Sequence, residues 1–163
     1  MPSNRKKNLS PFQSLDFYLP TYHALCKKLK LENDLAELKK ILNRPLETSI
    51  IDVLHASDYE ALVVTNSEIK IIWANNGFQE MTGYAKRFAI GKKPSFLQGV
   101  NTSEETKLEI RHLFAQQRRF SASIINYRKN GEEYHCHIEV FPLFDSNNVL
   151  THYMAMEKEQ IAA

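Results

Sequence analysis

The spacing of hydrophobic positions predicts helices in the first third of the chain. Leucines recur at intervals of four, three and four residues from Leu31 to Leu42, which places them on one face of a helix. The sequence NRPLE at residues 43–47 ends this helix. Pro20 lies inside the helix-prone stretch 15–42, and an interior proline removes a hydrogen bond and clashes with the preceding turn, so we predict two short helices there. The leucine face would pack within the chain or against a partner helix.

After Asp52 the pattern changes to short β-strands. Two apolar runs in ALVVTNSEIKIIWANNGF flank a polar cluster at residues 66–68, which predicts a hairpin. Three further strand patterns follow, joined by the turn sequences KNG and DSNN: FSASIINYR, EYHCHIEVFPLF and VLTHYMAMEK. Because hairpins join successive strands, the economical arrangement is one five-stranded antiparallel sheet.

Helices are predicted between the second and third strands. Residues 75–89 break into short helical turns at Gly77 and Gly83, and TSEETKLEIRHLFAQQRR opens with Thr102 or Ser103 as the N-cap of a longer helix. We therefore predict an α+β fold in which helices cover one face of the five-stranded antiparallel sheet. Residues 1–50 would form an N-terminal helical extension, and residues 51–163 the domain itself.

Composition and charge exclude several functional classes. The formal net charge of +2 comes from mixed acidic and basic residues, so the basic stripe of a nucleic-acid-binding protein is missing. No apolar stretch approaches the roughly 18 residues of a membrane span, and the basic start at residues 5–7 lacks the apolar run of a signal peptide, so we expect a cytoplasmic protein. The two cysteines, Cys26 and Cys136, have neither disulfide-framework nor zinc-finger spacing and are expected to be free thiols.

Alternation along EYHCHIEVF separates an apolar face from a histidine face. One face carries Tyr134, Cys136, Ile138 and Val140, and the other carries His135, His137 and Glu139. The apolar face should point to the core, where Cys136 would serve as a small buried hydrophobe. His135 and His137, with His152 on the next strand, suggest a transition-metal site only weakly, so we predict a solvated or interface face with no metal-binding or catalytic residues.

Three motifs in order resemble PAS domains, and within them the light-oxygen-voltage (LOV) branch: ANNGFQEMTGY, IGKKPSFLQGVNTSEE and INYRKNGEEYHCHIEVFPLF. The resemblance covers about residues 56–158 and implies the PAS fold. Light-sensing members carry Asn-Cys-Arg before Phe-Leu-Gln-Gly, where the cysteine adds to flavin and the arginine pairs with its phosphate. The corresponding residues here are Lys93, Pro94 and Ser95. Proline has no sulfur, so a cysteinyl photoadduct is not expected, and Ser95 lacks the guanidinium.

The same resemblance implies five cofactor-binding positions. Gln98, Arg111 and Asn126 match the family residues that contact the ribityl chain, the phosphate and the isoalloxazine edge. Cys136 stands where the family has a second asparagine, and Glu157 where it has a glutamine. A carboxylate only accepts hydrogen bonds unless it is protonated, so Glu157 would not reproduce the pairing of an amide. The cofactor therefore stays open, with FMN as a candidate, and the matching residues also have explanations without a ligand.

Pro94 has a structural explanation of its own. Proline suits the first residue of a helical turn, where its missing N–H is not needed. We therefore predict a short helical turn that begins at Pro94.

The resemblance implies a sensory function without catalysis. We predict a stand-alone PAS sensory or protein-interaction module, like the sensor parts of bacterial signalling histidine kinases, that signals through dimerisation or through a partner such as a kinase. An exposed outer sheet face and the amphipathic N-terminal segments favour a homodimer; that face would carry Ile125, His135, His137, Phe141 and Met154. The alternative is a flavin-binding redox or light sensor without a cysteinyl adduct. An enzyme using metal or thiol chemistry lacks a convergent acid, base and nucleophile.

Overall fold

The computed structural model describes the backbone of residues 11–160 and the side chains of residues 19–160. The chain forms two compact units, one ending at Ala56 and the other beginning at Ser57. The first unit holds two helices, α1 (Pro11–Ile41) and α2 (Thr48–Ala56). Across the described part of the chain, no helix combines the length and apolar character needed to cross a bilayer.

The predicted break at Pro20 is wrong, because α1 runs through this residue as one helix. Strong helix formers follow it, including Ala24 and Leu25, and a long helix accommodates an internal proline at a cost of about 3 kcal/mol. The leucine face is confirmed, since Leu31 and Leu38 are buried. The helix ends as predicted before Asn43, which adopts a left-handed conformation with φ of 53°.

The second unit is built on a five-stranded antiparallel sheet, as predicted. Its strands are β1 (Ala61–Asn66), β2 (Ile71–Ala74), β3 (Phe120–Tyr127), β4 (Glu133–Phe144) and β5 (Leu150–Glu159). Their order across the sheet is β2-β1-β5-β4-β3, so the last strand in sequence lies at the centre, between β1 and β4. Hairpins join β1 to β2, β3 to β4 and β4 to β5.

The helical segments between β2 and β3 follow the prediction except at Gly77, where the predicted break is wrong because this residue lies inside a helix that ends at Gly83. They are α3 (Asn76–Thr82), α4 (Lys86–Ala89), a 3-10 turn (Pro94–Leu97) and α5 (Glu104–Ala115). Pro94 is the first residue of the 3-10 turn, and Ser103 is the N-cap of α5, accepting a hydrogen bond from the N–H of Thr106. A five-stranded antiparallel sheet accompanied by helices, together with the N-terminal helix, is the PAS fold that the sequence predicts.

Asn75 joins the start of α3 to the sheet. Its side-chain oxygen accepts hydrogen bonds from the N–H groups of Phe78, at 3.2 Å, and Leu62, at 3.0 Å. The backbone packs so closely here that a Cβ on Gly77 would lie 1.8 Å from the carbonyl oxygen of Glu60. Only glycine therefore fits at Gly77 without moving the strand or the helix.

The predicted alternation of β4 is confirmed. Its inner face carries Tyr134, Cys136 and Val140, all buried. On the outer face, His135 is exposed, but Phe141 and Met154 are 4% and 0% exposed, so the prediction that these two apolar residues are exposed is wrong. They belong to the two central strands of the sheet, where removal of apolar side chains from water stabilises the fold.

Candidate ligand-binding cavity

A cavity of about 300 Å³ separates the inner face of the sheet from the 3-10 turn and α5. What we call the sheet wall consists of Val63, Thr65, Ile124, Asn126, Ile138, Val140, Tyr153, Ala155 and Glu157. What we call the helical wall consists of Lys93, Pro94, Ser95, Leu97, Gln98, Lys107, Ile110, Arg111 and Phe114. The volume lies at the lower end of the range for small-molecule sites.

Four of the five predicted cofactor-binding residues line this one cavity. Gln98 and Arg111 belong to the helical wall, and Asn126 and Glu157 to the sheet wall. The fifth, Cys136, does not line the cavity and is completely buried in the adjoining hydrophobic core. The structure thus brings together residues that are up to 59 positions apart in the chain, between Gln98 and Glu157.

The Cys136 thiol is held in its neutral form. Burial raises its pKa strongly, and the negative charge of Glu157 acts in the same direction. Its Sγ lies 3.8 Å from the carbonyl oxygen of His137. Since the thiolate is the reactive form of cysteine, these surroundings make Cys136 a core residue of low reactivity.

Glu157 is the one acidic residue of the sheet wall. It is 6% exposed, and within residues 19–160 its Oε2 atom has no hydrogen-bond partner. Burial raises the pKa of the Glu157 carboxyl from 4.5 to about 7. Near neutral pH a large fraction of this group is therefore a carboxylic acid, which donates one hydrogen bond and still accepts others.

Strands β4 and β3, which follow β5 in the order of the sheet, place further polar groups on the inner face. Asn126 on β3 is paired in register with Tyr134 on β4. The Tyr134 hydroxyl is buried beside Asn126, and burial raises its pKa strongly. The Arg128 guanidinium lies over the Tyr134 ring, 4.5 Å from its centroid, and forms a 2.6 Å ion pair with Glu159.

The helical wall has the opposite electrostatic character. It carries three cationic side chains, Lys93, Lys107 and Arg111, of which Lys93 and Arg111 are exposed. Lys107 is largely buried and forms a 2.7 Å ion pair with Glu104 at the start of α5. These charges suit an anionic group of a ligand, such as a phosphate or carboxylate.

The sequence-based predictions do not include Lys107 among the ligand-binding residues, although its spacing from Arg111 indicates that the two residues share a helix face. Lys107 precedes Arg111 by four residues on α5, so the two side chains share a helix face. The family resemblance implies a ligand contact for Arg111 alone, and no sequence pattern indicates that Lys107 also lines the cavity. The structure shows that it does.

A turn at residues 99–102 connects the two parts of the helical wall to β3. The Thr102 hydroxyl donates to the carbonyl oxygen of Ile125 at 2.7 Å and accepts from the N–H of Gly99 at 2.9 Å. A Cβ on Gly99 would lie 2.4 Å from ring carbons of Tyr127. The Tyr127 hydroxyl accepts a hydrogen bond from the N–H of Asn101 at 3.0 Å, so this turn fixes where α5 begins relative to the sheet.

The histidines do not form a metal site. In residues 19–160, no cluster of three or more His, Cys, Asp or Glu side chains is arranged to hold a metal ion. His137 instead lies 3.3 Å from the Ser123 hydroxyl on the neighbouring strand.

Residues 60–159, more than half of the chain, match the PAS domain family. The chain belongs to the PAS domain family. All five strands, α3, α4, the 3-10 turn and α5 lie within the matched residues, and so does the whole cavity lining of this PAS domain.

Similar proteins include light receptors. A blue-light photoreceptor of Listeria innocua serovar 6a is 35% identical over 101 residues, which are 60% of this chain and 40% of that protein. A blue-light-activated histidine kinase of Rhizobium johnstonii is 31% identical over 99 residues, 59% of this chain and 29% of that protein. The chain thus matches less than half the length of either relative.

A solved structure of the light state of the blue-light photoreceptor Aureochrome1 LOV is also similar. It has a TM-score of 0.61 and 25% sequence identity, and the match covers 63% of this chain and 83% of that chain.

Proposed function

We propose that this PAS domain is a non-catalytic sensory module that binds a ligand with a planar ring in the cavity between its sheet wall and its helical wall. The observation that carries the proposal is the cavity itself, which combines apolar surfaces, buried neutral polar groups and cationic groups around about 300 Å³. Such a combination is typical of small-molecule sites, where apolar contacts supply affinity and a few polar groups fix orientation.

The walls fit a ligand of the flavin class. Apolar side chains such as Leu97 and Ile124 would contact the faces of a planar ring, and Asn126 and Glu157 would meet its polar edge. Lys107 and Arg111 would neutralise a phosphate. Ser95 stands where the family has an arginine, and Lys107 offers a cation in place of that arginine. The similarity to proteins named as blue-light photoreceptors supports the same class.

The proposed mode of sensing does not use a cysteinyl adduct. The family resemblance aligns Pro94 with the adduct-forming cysteine, and Cys136 is buried outside the cavity lining. Bound flavin would supply visible-light absorption and reversible redox chemistry. The chain's own residues would orient the ring through Gln98 and Asn126 and hold a proton at the Glu157 carboxyl.

Output would pass from the cavity to another surface of the protein. Any ligand that binds one packing of the sheet and helices more tightly than another shifts the balance between them. We propose that the receiver is a second copy of the chain or a regulatory partner such as a kinase. The exposed apolar residues of α1, which include Leu25 and Leu29, and the similarity to a protein named as a histidine kinase support this assignment.

The first test is absorption spectroscopy followed by ligand titration. Purified protein would be scanned from the near ultraviolet to the red, together with the supernatant after denaturation, and the ligand-free protein would then be titrated with FMN and riboflavin. We expect saturable binding with quenching of flavin fluorescence. Ala155→Leu, which adds bulk inside the cavity, should abolish binding, whereas Ser121→Leu on the exposed outer face of β3 should not.

Failure to bind either flavin would contradict the proposed ligand class. Equal binding by wild type and Ala155→Leu would contradict the proposed location. If the protein instead bound a kinase or a second copy with no ligand at all, it would be an interaction module with an unused cavity.

A further inference from the structure

The buried carboxyl group of Glu157 has an oxygen atom, Oε2, to which the described residues donate no hydrogen bond. The residue faces the cavity from β5, opposite Ile138 on β4 and Ala61 on β1. Those neighbours are apolar, and within the described side chains no donor reaches its Oε2 atom. A buried polar atom without a partner is costly unless a ligand supplies the missing hydrogen bond.

The charged groups of the cavity do not explain Glu157 either. The pKa of its carboxyl is raised by burial alone, with no contribution from an opposite charge. Lys107 of the helical wall already pairs with Glu104, and Arg128, which lies outside the cavity lining, pairs with Glu159. A carboxylate selected to neutralise a cation would show the opposite shift.

We propose that Glu157 binds the ligand as a neutral carboxylic acid, donating one hydrogen bond to a ligand carbonyl oxygen and accepting another from the adjacent ligand N–H. The ligand class is thus a planar heterocycle with a lactam edge, in which C=O and N–H lie side by side. A carboxylic acid is complementary to that edge, whereas a carboxylate repels the carbonyl oxygen. Ligand and proton would bind together, the proton coming from solvent when Glu157 is ionised beforehand. This inference rests on the proposed ligand-binding function.

Other ionisable groups surround Glu157. From the sheet side they are Glu60 before β1, Tyr134 and Cys136 on β4, and Tyr153 and Glu159 on β5. The pKa values of Tyr134, Cys136 and Tyr153 are raised by burial, so these three groups stay neutral around pH 7. From the helical wall the groups are the basic side chains of Lys93, Lys107 and Arg111.

The consequence is a defined pH profile for ligand affinity. Below the pKa of Glu157 the free protein already carries the proton, and affinity is constant. Above it, each pH unit reduces the fraction of protonated protein tenfold, and the affinity falls with it. A ligand without phosphate isolates this effect from the cationic helical wall.

The test is a titration with riboflavin from about pH 5.5 to about pH 8.5, a range centred near the pKa of Glu157. Wild type should lose roughly 30-fold in affinity between the lower and the upper limit of this range, of which roughly 16-fold falls above pH 7. Glu157→Gln keeps one donor and one acceptor but has no proton to lose, so its affinity should stay within about twofold across the range. Glu80→Gln, an exposed site on α3, should keep the wild-type profile.

Proton uptake can be measured with the wild-type protein, so this test does not depend on whether the variant folds. Calorimetric titrations in two buffers with different ionisation enthalpies should show close to one proton bound per riboflavin above pH 8 and almost none near pH 5.5. A parallel titration with a pterin, which has the same lactam edge, shows whether the ring that supplies this edge is a flavin or a pterin.

The outcomes separate the inference from the proposed function. Riboflavin binding with no pH dependence and no proton uptake would overturn the role of Glu157 and leave the ligand site intact. Pterin binding with the expected profile, without riboflavin binding, would support the role of Glu157 and reject flavin. No binding of either ring at any pH would overturn both.

Discussion

The two walls of the cavity hold their ionisable side chains in different environments. The helical wall places cations near water, where Lys93 and Arg111 are exposed and their solvation is largely kept. The sheet wall buries an acid, Glu157, where an ionised carboxyl loses its solvation and the neutral form is favoured. The comparison shows that a charged side chain on an exposed wall keeps its charge, whereas an acid on a buried wall becomes a hydrogen-bond donor when it is protonated.

The two walls should also respond differently to solution conditions. Salt screens exposed charges over about 10 Å at moderate ionic strength, so it should weaken the helical wall's attraction for an anion. Salt should have little effect on Glu157, and pH should have a large one.

The largest effect is expected when the sheet wall loses its ionisable group. The pKa of Glu157 is raised in the folded protein from 4.5 to about 7, so folded protein keeps a proton that the unfolded chain has released. The resulting stabilisation is fully present below pH 4.5 and is lost as pH rises to about 7. Its total is about 3 kcal/mol, because the group is fully buried. Glu157→Gln should remove this part of the pH dependence and be more stable than wild type at pH 8.

Urea unfolding at several pH values measures this difference. Glu80→Gln should keep the wild-type slope of unfolding free energy against pH. Parallel curves for wild type and Glu157→Gln would mean that the carboxyl reaches water in the folded protein, and the contrast between the walls would disappear.

A smaller loss is expected when the helical wall is displaced from the sheet. Gly99→Ala places a Cβ 2.4 Å from the Tyr127 ring, and such overpacking costs about 1 to 3 kcal/mol. The measurement is the urea midpoint of the variant. In a Tyr127→Leu background the shorter side chain should reduce the loss from Gly99→Ala. Equal losses in the two backgrounds would show that the turn at residues 99–102 does not depend on this contact.

The smallest effect is expected from the cations. Lys107→Gln should leave stability within about 0.5 kcal/mol, because its ion-pair partner Glu104 is exposed. It should weaken FMN binding by about 1 kcal/mol, or roughly fivefold, and leave riboflavin binding unchanged. Lys129→Gln, an exposed site outside the cavity lining, is the matched control. An equal loss for FMN and riboflavin would show that Lys107 acts on the ring and not on the phosphate.

Most of the fold could be predicted because local signals agree with it. The turn at residues 66–68, the alternation through Cys136 and the proline at the start of the 3-10 turn each depend on neighbours only a few positions away. Pro20 was misread because a local rule for proline does not include the helical preference of the 21 residues that follow it in α1. Helix α2 was not predicted, although Ile50 and Leu54 provide its buried face.

The site was harder to predict because its chemistry depends on distant neighbours. The positions of Gln98, Arg111, Asn126 and Glu157 came from the family resemblance, and the structure places all four around one cavity. The sequence predicts that Glu157 only accepts hydrogen bonds unless it is protonated, and it does not show which form is present. Its protonation depends on burial by strands and helices that are remote in the chain, which no local pattern contains.

The central position of β5 also constrains the order in which this domain is made. The hairpins β1–β2 and β3–β4 lie on opposite sides of β5, and Ala61 on β1 pairs with Glu157 on β5. On the ribosome both hairpins leave the exit tunnel before the strand that joins them, so each waits with one edge unpaired. The cavity can close only after β5, which ends at Glu159, has been synthesised, so its sheet wall is completed by the last strand of the domain.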